Sequence, residues 1–170
     1  MSFSPVPQYA YRKLTDIPPD FLKKLGVKLL MLDLDNTVAA YTEHIPPVGV
    51  ARWIAEVMER GITLYILSNS RKKRVDTFAQ ALQIGCMKGA RKPSPKGVRS
   101  TAAQFGFSSG ESALAGDQVY TDVLAANRAG AISIVVRPRR FSNPFLAIRY
   151  ALEAPFRAMC GNKMYCKDKR

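Results

Sequence analysis

A chain of 170 residues, 47% of them apolar, has the size of one ordinary domain and can bury a full core without disulfides or a structural metal. Twenty-six Lys and Arg against 13 Asp and Glu leave a net charge of +13, which favours anionic partners (nucleic acid, phosphorylated metabolites or an acidic lipid surface) without choosing among them. The three cysteines, Cys86, Cys160 and Cys166, are an odd count in no C-x-x-C pair, which supports neither a zinc site nor a disulfide framework and suits a reduced, intracellular chain.

The predicted elements follow in chain order. Met1 to Ala10 carries two prolines and no basic stretch leading into an apolar one, so it does not read as a signal peptide. No apolar run of about 18 residues follows, so no membrane-spanning helix is expected. Val27 to Leu34 is almost continuously apolar, as a buried parallel strand should be. Pro46 and Pro47 open a helical pattern with Val50, Trp53, Ile54, Val57 and Met58 on one face, closed by Gly61; Trp53 is expected in the core. Ile62 to Leu67 is a second strand, and Arg71 to Leu82 a helix with Val75, Phe78, Ala79 and Leu82 inward. A short strand over Gly85 to Met87, a helix over Pro95 to Phe105, a strand over Ser112 to Ala115, a helix over Tyr120 to Ala129 and a strand over Ala131 to Val136 complete the pattern.

Strands alternating with helices predict a parallel, five-stranded sheet with right-handed crossovers and helices on both faces, a three-layer, doubly wound, Rossmann-like α/β domain. Such sheets bind ligands outside the carboxyl ends of their strands. Asp33 and Asp35 follow the first strand, Ser68 and Asn69 the second, and Asp117 the fourth, so the reactive residues fall on one rim.

Residues i and i+2 of an extended segment point the same way, so Asp33 and Asp35 can face one pocket. Two such carboxylates raise one another's pKa unless a cation lies between them, and a hard divalent ion, Mg2+ by preference, meets that need. One carboxylate can then attack phosphorus while the other moves the proton. Ser68 with a backbone N–H can hold phosphoryl oxygens, or it can cap the next helix. Lys92 can neutralise charge on phosphorus, though a lysine is by default a solvated surface residue. Asp117 and Asp122 can both cap a helix, and Asp117 is also placed as a third metal ligand.

The motifs Asp33-x-Asp35-x-Thr37, Ser68, Lys92 and Gly116-Asp117-x4-Asp122, in that order, resemble the haloacid dehalogenase superfamily of aspartate-nucleophile phosphatases. The resemblance implies that Asp33 is phosphorylated and binds Mg2+, and that Asp35 is the acid/base and gives its backbone carbonyl to the metal. Thr37 would support the loop, Ser68, Asn69 and Lys92 would hold the phosphoryl group, and Asp117 and Asp122 would complete the metal site. An Asp at position 35 implies phosphoester chemistry, because dehalogenases lack it and transport ATPases carry Thr there.

Only 24 residues (38–61) separate Thr37 from the second strand, and 22 (70–91) separate Asn69 from Lys92. Neither gap can hold a folded cap, leaving an open site with a short flap over Ala39 to Pro47. His44 lies on that flap, where it is expected to be solvated or to touch a substrate headgroup. The runs Leu-Asp-Leu-Asp-Asn-Thr, Lys92-Pro93 and Gly-Asp-Gln-x-x-Thr-Asp-Val-x-x-x-Asn-Arg-Ala-Gly are similar to the capless, subclass III, YqeG-type family. That group is related to the yeast-type phosphatidylglycerophosphate phosphatases.

Residues 1–140 are expected to form the catalytic domain and 141–170 a basic helix and tail packed on or flanking it. From Arg137 to Arg170 nine Lys and Arg stand against two Asp and Glu, a net of +7. Asn143-Pro144 would cap a helix with Phe145, Ile148, Leu152, Phe156 and Met159 on one stripe, Arg149 and Arg157 elsewhere, and Pro155 kinking or restarting it. The stripe suits either docking on the sheet or lying on an anionic membrane with help from Lys163 to Arg170. The expected location is cytoplasmic, at most peripheral on the inner membrane face. The expected activity is Mg2+-dependent phosphomonoester hydrolysis, with phosphatidylglycerophosphate as the substrate the resemblance favours. Soluble sugar, nucleotide or nucleic-acid end phosphates are the alternative substrates. A phospho-aspartate receiver-like signalling module is an alternative of another class, disfavoured by Asp35 beside Asp33.

Overall fold

The computed structural model describes residues 4–141 and 144–163, with side chains described to 161. The Asn143 cap, Cys166 and the tail beyond Lys163 lie outside the described residues. The strands are β1 (Tyr9–Tyr11), β2 (Leu29–Leu32), β3 (Thr63–Leu67), β4 (Gly85–Met87), β5 (Ser112–Gly116), β6 (Ile132–Val136) and β7 (Asn162–Lys163). They form one sheet in the order β4-β3-β2-β5-β6-β1-β7, every pairing parallel. The helices are α1 (Pro19–Lys24), α2 (Val48–Glu59), α3 (Arg74–Ala81), α4 (Lys96–Gln104), α5 (Leu124–Ala129) and α6 (Pro144–Met159).

The five expected strands form the continuous block β4-β3-β2-β5-β6. Two more extend it past β6. β1 and β7 have three and two residues, too few for a period-two pattern to register; pairing with β6 and with each other makes them strands. The central β2 is Leu-Leu-Met-Leu with every side chain buried, because helices cover both faces. Leu30 and Leu32 join α2 and α3 through Trp53, Val57 and Phe78. Leu29 and Met31 join α4 and α5 through Val98, Ala102 and Ala126. Trp53 is buried and its indole N–H donates to the Ile17 carbonyl at 2.7 Å.

Two further details differ from the expected elements. The segment leading into α5 opens with a π-helical turn over Val119–Val123. α6 runs unbroken through Pro155, so the proline does not restart it.

The apolar stripe of α6 is where expectation and structure part most. The helix docks, yet through Leu146, Glu153 and Arg157, while Phe145, Ile148, Leu152 and Met159 are exposed. Arg157 explains the inversion: it donates to the Val136 carbonyl at 3.0 Å, to the Asp117 carbonyl and to Glu153 Oε2 at 2.9 Å. A guanidinium that satisfies two strand-end carbonyls and a carboxylate belongs inside, and it turns the leucine and isoleucine face outward.

Candidate active site

The site begins where β2 ends. Asp33 N–H donates to the Ala115 carbonyl at 2.9 Å, continuing the β2–β5 pairing one residue past the strand. Leu34 then points into the core, so Asp33 and Asp35 share the other side and line one pocket. Asn36 turns the chain at φ 65°, a left-handed conformation that its short polar side chain tolerates. The loop closes on itself as the N–H groups of Val38 and Ala39 donate to the Leu34 carbonyl, both at 3.1 Å. Thr37 is buried within this loop.

Ser68 and Lys92 arrive from β3 and from the segment after β4. Ser68 N–H donates to the Met87 carbonyl at 3.0 Å, and its hydroxyl accepts from Ser70 N–H at 3.1 Å. The Asn69 carboxamide is spent on Lys92: Nδ2 donates to the Lys92 carbonyl at 2.9 Å, and Oδ1 accepts from Lys92 N–H at 2.7 Å. Asn69 therefore fixes the lysine's backbone while also lining the pocket. The Lys92 ammonium is buried. It donates to Asp33 Oδ1 at 2.7 Å and to the Leu67 carbonyl at 2.6 Å, and lies 2.7 Å from Asp122 Oδ1. Burial alone would lower its pKa, but Asp122 and Asp33 outweigh that and raise it, so the lysine stays charged.

Asp117 and Asp122 come from the end of β5 and the π-helical turn. Gly116 is required here, because a Cβ on it would lie 2.2 Å from Asp122 Oδ2. That oxygen instead accepts from Gln118 N–H at 3.1 Å. Among the described residues, Asp33, Asp117 and Asp122 each bring one carboxylate oxygen to within 4.8 Å of the other two. All three are buried, and Asp33 Oδ2 and Asp117 Oδ1 have no hydrogen-bond partner. Burial raises the pKa of Asp33, as do Asp122 and Asp35, against the opposing pull of Lys92. Burial also raises Asp117, together with Asp33 and Asp122. Crowded buried carboxylates with unpartnered oxygens fit a hard divalent cation, which would satisfy both the charge and the open lone pairs.

Asp35 stands apart from this triad. Its carboxylate accepts from Arg74, whose Nη2 also donates to the Ala40 carbonyl at 2.7 Å and the Glu43 carbonyl at 3.1 Å. Burial raises the Asp35 pKa while Arg74, Lys72 and Lys92 pull it down. The pocket holds about 380 Å3, opens to solvent, and is walled further by Tyr41, Gln118, Thr121 and Arg149.

Arg74 and Arg149 are the two functional candidates that sequence reasoning missed. Arg74 belongs to the run Arg71-Lys72-Lys73-Arg74 that follows Ser68-Asn69-Ser70, a basic cluster just past a strand end that could have been read as pocket lining. Arg149 reaches Asp117 Oδ2 at 3.4 Å from α6, and nothing in the local pattern indicates that. His44 is exposed on the flap.

Comparison with known proteins agrees with this geometry. Residues 8–130 match the haloacid dehalogenase-like hydrolases. The chain is 32% identical over 141 residues to the probable phosphatase YqeG of Bacillus subtilis (strain 168), covering 83% of this chain and 82% of that protein. It is 27% identical over 157 residues to the chloroplastic/mitochondrial phosphatidylglycerophosphate phosphatase 1 of Arabidopsis thaliana, 83% of this chain but 43% of that longer protein. The fold is shared with the 3-deoxy-D-manno-octulosonate 8-phosphate phosphatase of Moraxella catarrhalis, solved with magnesium, phosphate and its sugar. That match has a TM-score of 0.52 and 14% identity, with 84% of this chain and 94% of that one covered. With its motifs meeting at one sheet rim and these matches spanning most of its length, the chain belongs to the haloacid dehalogenase-like hydrolase family and is one of its phosphatases.

Proposed function

We propose that the chain is a Mg2+-dependent phosphomonoester hydrolase that works through an aspartyl-phosphate on Asp33 and acts on an acidic phospholipid, phosphatidylglycerophosphate or a close analogue. The observation that carries the chemistry is the state of Asp33. One oxygen is held by Lys92 at 2.7 Å, the other is buried and unpartnered, and the carboxylate comes within 4.8 Å of oxygens of Asp117 and Asp122.

An oxygen of the Asp33 carboxylate attacks phosphorus, forming the aspartyl-phosphate bond as the bond from phosphorus to the alkoxide oxygen breaks, and Asp35 gives its proton to that departing oxygen. Asp35 then takes a proton from water, whose oxygen attacks phosphorus and displaces the Asp33 carboxylate, releasing inorganic phosphate and restoring Asp33. The Ser68 hydroxyl would hold a phosphoryl oxygen, and Lys92 would turn one of the N–H groups it now gives to Asp33, Asp122 and the Leu67 carbonyl toward the phosphoryl group, with Asn69 keeping the Lys92 backbone in place. Asp33, Asp117 and the Asp35 carbonyl would hold the metal. Asp122, whose oxygens already meet Lys92 and Gln118 N–H, would act through water. When bound, Mg2+ supplies charge for the phosphoryl oxygens.

The named phosphatidylglycerophosphate phosphatase among the relatives, the net charge of +13 and the uncapped pocket together support a lipid phosphate presented at an anionic surface. We read residues 1–140 as the catalytic domain and 141–170 as its flanking element. The test is to compare turnover of phosphatidylglycerophosphate in mixed micelles with a panel of soluble sugar and nucleotide phosphates, with Mg2+ and after chelation. The lipid is expected to be preferred, and chelation to abolish turnover. A soluble phosphate turned over faster would overturn the lipid assignment, and full activity after chelation would overturn the metal.

A further inference from the structure

α6 inverts the ordinary pattern of a surface helix. Its three charged residues, Arg149, Glu153 and Arg157, point inward, and each makes an ion pair there. Every residue of α6 that is exposed is apolar. Phe145 is 73% exposed, Ile148 59%, Leu152 63% and Met159 66%. A helix of a soluble surface shows charge to water and hides its apolar stripe, and a contiguous apolar face marks a surface that something covers.

Charge decides what covers it. Arg12, Lys13, Arg137, Arg139 and Arg140 line one cleft at the segment that leads into α6, and the chain from Arg137 to Arg170 carries a net +7. A second copy of the chain would bring two such basic faces together. An anionic bilayer complements them, drawing the arginines to its headgroups while the apolar stripe enters the acyl boundary. Meanwhile the inward face of the same helix touches the catalytic rim, Arg149 at Asp117 Oδ2 and Arg157 at the Asp117 carbonyl. We propose that α6 seats the protein on an anionic lipid surface through Phe145, Ile148, Leu152 and Met159, placing the pocket mouth at the headgroup layer. This deepens the lipid-phosphate reading, on which its biological purpose rests, but the binding itself stands or falls separately.

The experiment uses the full chain and vesicles of phosphatidylcholine with about one-third phosphatidylglycerol, alongside pure phosphatidylcholine vesicles. Sedimentation is expected to show binding to the anionic vesicles only. The double variant Ile148→Ser/Leu152→Ser, which removes apolar surface without changing charge, should bind on the order of tenfold more weakly. Its turnover of para-nitrophenyl phosphate, and binding by the control variant Met58→Ser, should match the wild type. In a Phe145→Trp chain, brominated acyl chains should quench the new indole. Absence of wild-type binding at low salt, equal binding by the double variant, or no quenching would each overturn the proposal. So would a dimer in sedimentation equilibrium that the double variant dissolves. Vesicle binding without lipid hydrolysis would leave the docking surface standing and remove only the substrate assignment.

Discussion

The molecule buries charge in two adjoining places, and the two differ in what they leave undone. At the carboxyl rim, Asp33, Asp117 and Asp122 crowd together, with the Lys92 ammonium between Asp33 and Asp122, and among the described residues Asp33 Oδ2 and Asp117 Oδ1 have no hydrogen-bond partner. A few ångströms away, Arg149, Glu153 and Arg157 form a chain of ion pairs in which Glu153 lies between two guanidiniums. Buried charge costs free energy unless it is paired and hydrogen-bonded. Where opposite charges alternate, the cluster is a clamp that fixes α6 to the sheet, even though the Nε groups of Arg149 and Arg157 have no hydrogen-bond partner among the described residues. Where carboxylates outnumber the cation, the fold holds repulsion that a divalent ion relieves, which is how a binding site differs from a structural network of charged groups.

The largest effect that would break this comparison is catalytic. Asp33→Asn should lower Mg2+-dependent turnover of para-nitrophenyl phosphate by roughly 10^4-fold or more, while urea denaturation shows the metal-free protein no less stable, since a crowded carboxylate has been removed. Undiminished turnover would end the nucleophile assignment. Next in size, Arg157→Ala leaves Glu153 buried beside a single, more distant arginine and should cost about 3–5 kcal/mol in the same denaturation experiment. A midpoint equal to wild type would show that the clamp is no clamp.

Smaller again is the effect of Gly116→Ala, whose new Cβ must displace the Asp122 carboxylate. Mg2+ affinity by titration calorimetry should fall about 10–100-fold with the fold retained.

The least of the four is a slope with pH. Asp33 and Asp117 have folded-state pKa values raised above the unfolded carboxylate value. From about pH 4 upward the folded protein therefore holds protons that the unfolded chain has lost. Metal-free stability should fall as pH rises through that window toward neutrality. Saturating Mg2+ should flatten the slope, read from melting temperatures at pH 5 and pH 7.

Much of the rim was legible because its logic is local. A fully apolar run such as Leu29–Leu32 must be a buried strand, and an aspartate just past it must lie on the ligand-binding edge. Ser68 and Asp117 follow from the same rule. α6 was not legible, for a tertiary reason. Its periodicity announced an amphipathic helix but not which side faces in. Two carbonyls at strand ends, Val136 and Asp117, settled that by recruiting Arg157. Likewise Asn69 follows a strand as a phosphate ligand would, yet its carboxamide is taken by the Lys92 backbone, a partner 23 residues away. β1 had no pattern to detect. Its place owes much to Asn127, whose side-chain N–H groups donate to the carbonyls of Ser4 and Val6 just ahead of it.

The Arg74 side chain has a last consequence. One guanidinium ties the Asp35 carboxylate to the carbonyls of Ala40 and Glu43, so the proposed general acid and residues 40–43 share a single cation. Displacing that guanidinium would remove the charge that most lowers the Asp35 pKa, so the proton affinity of the proposed acid and the anchoring of residues 40–43 rest on one side chain.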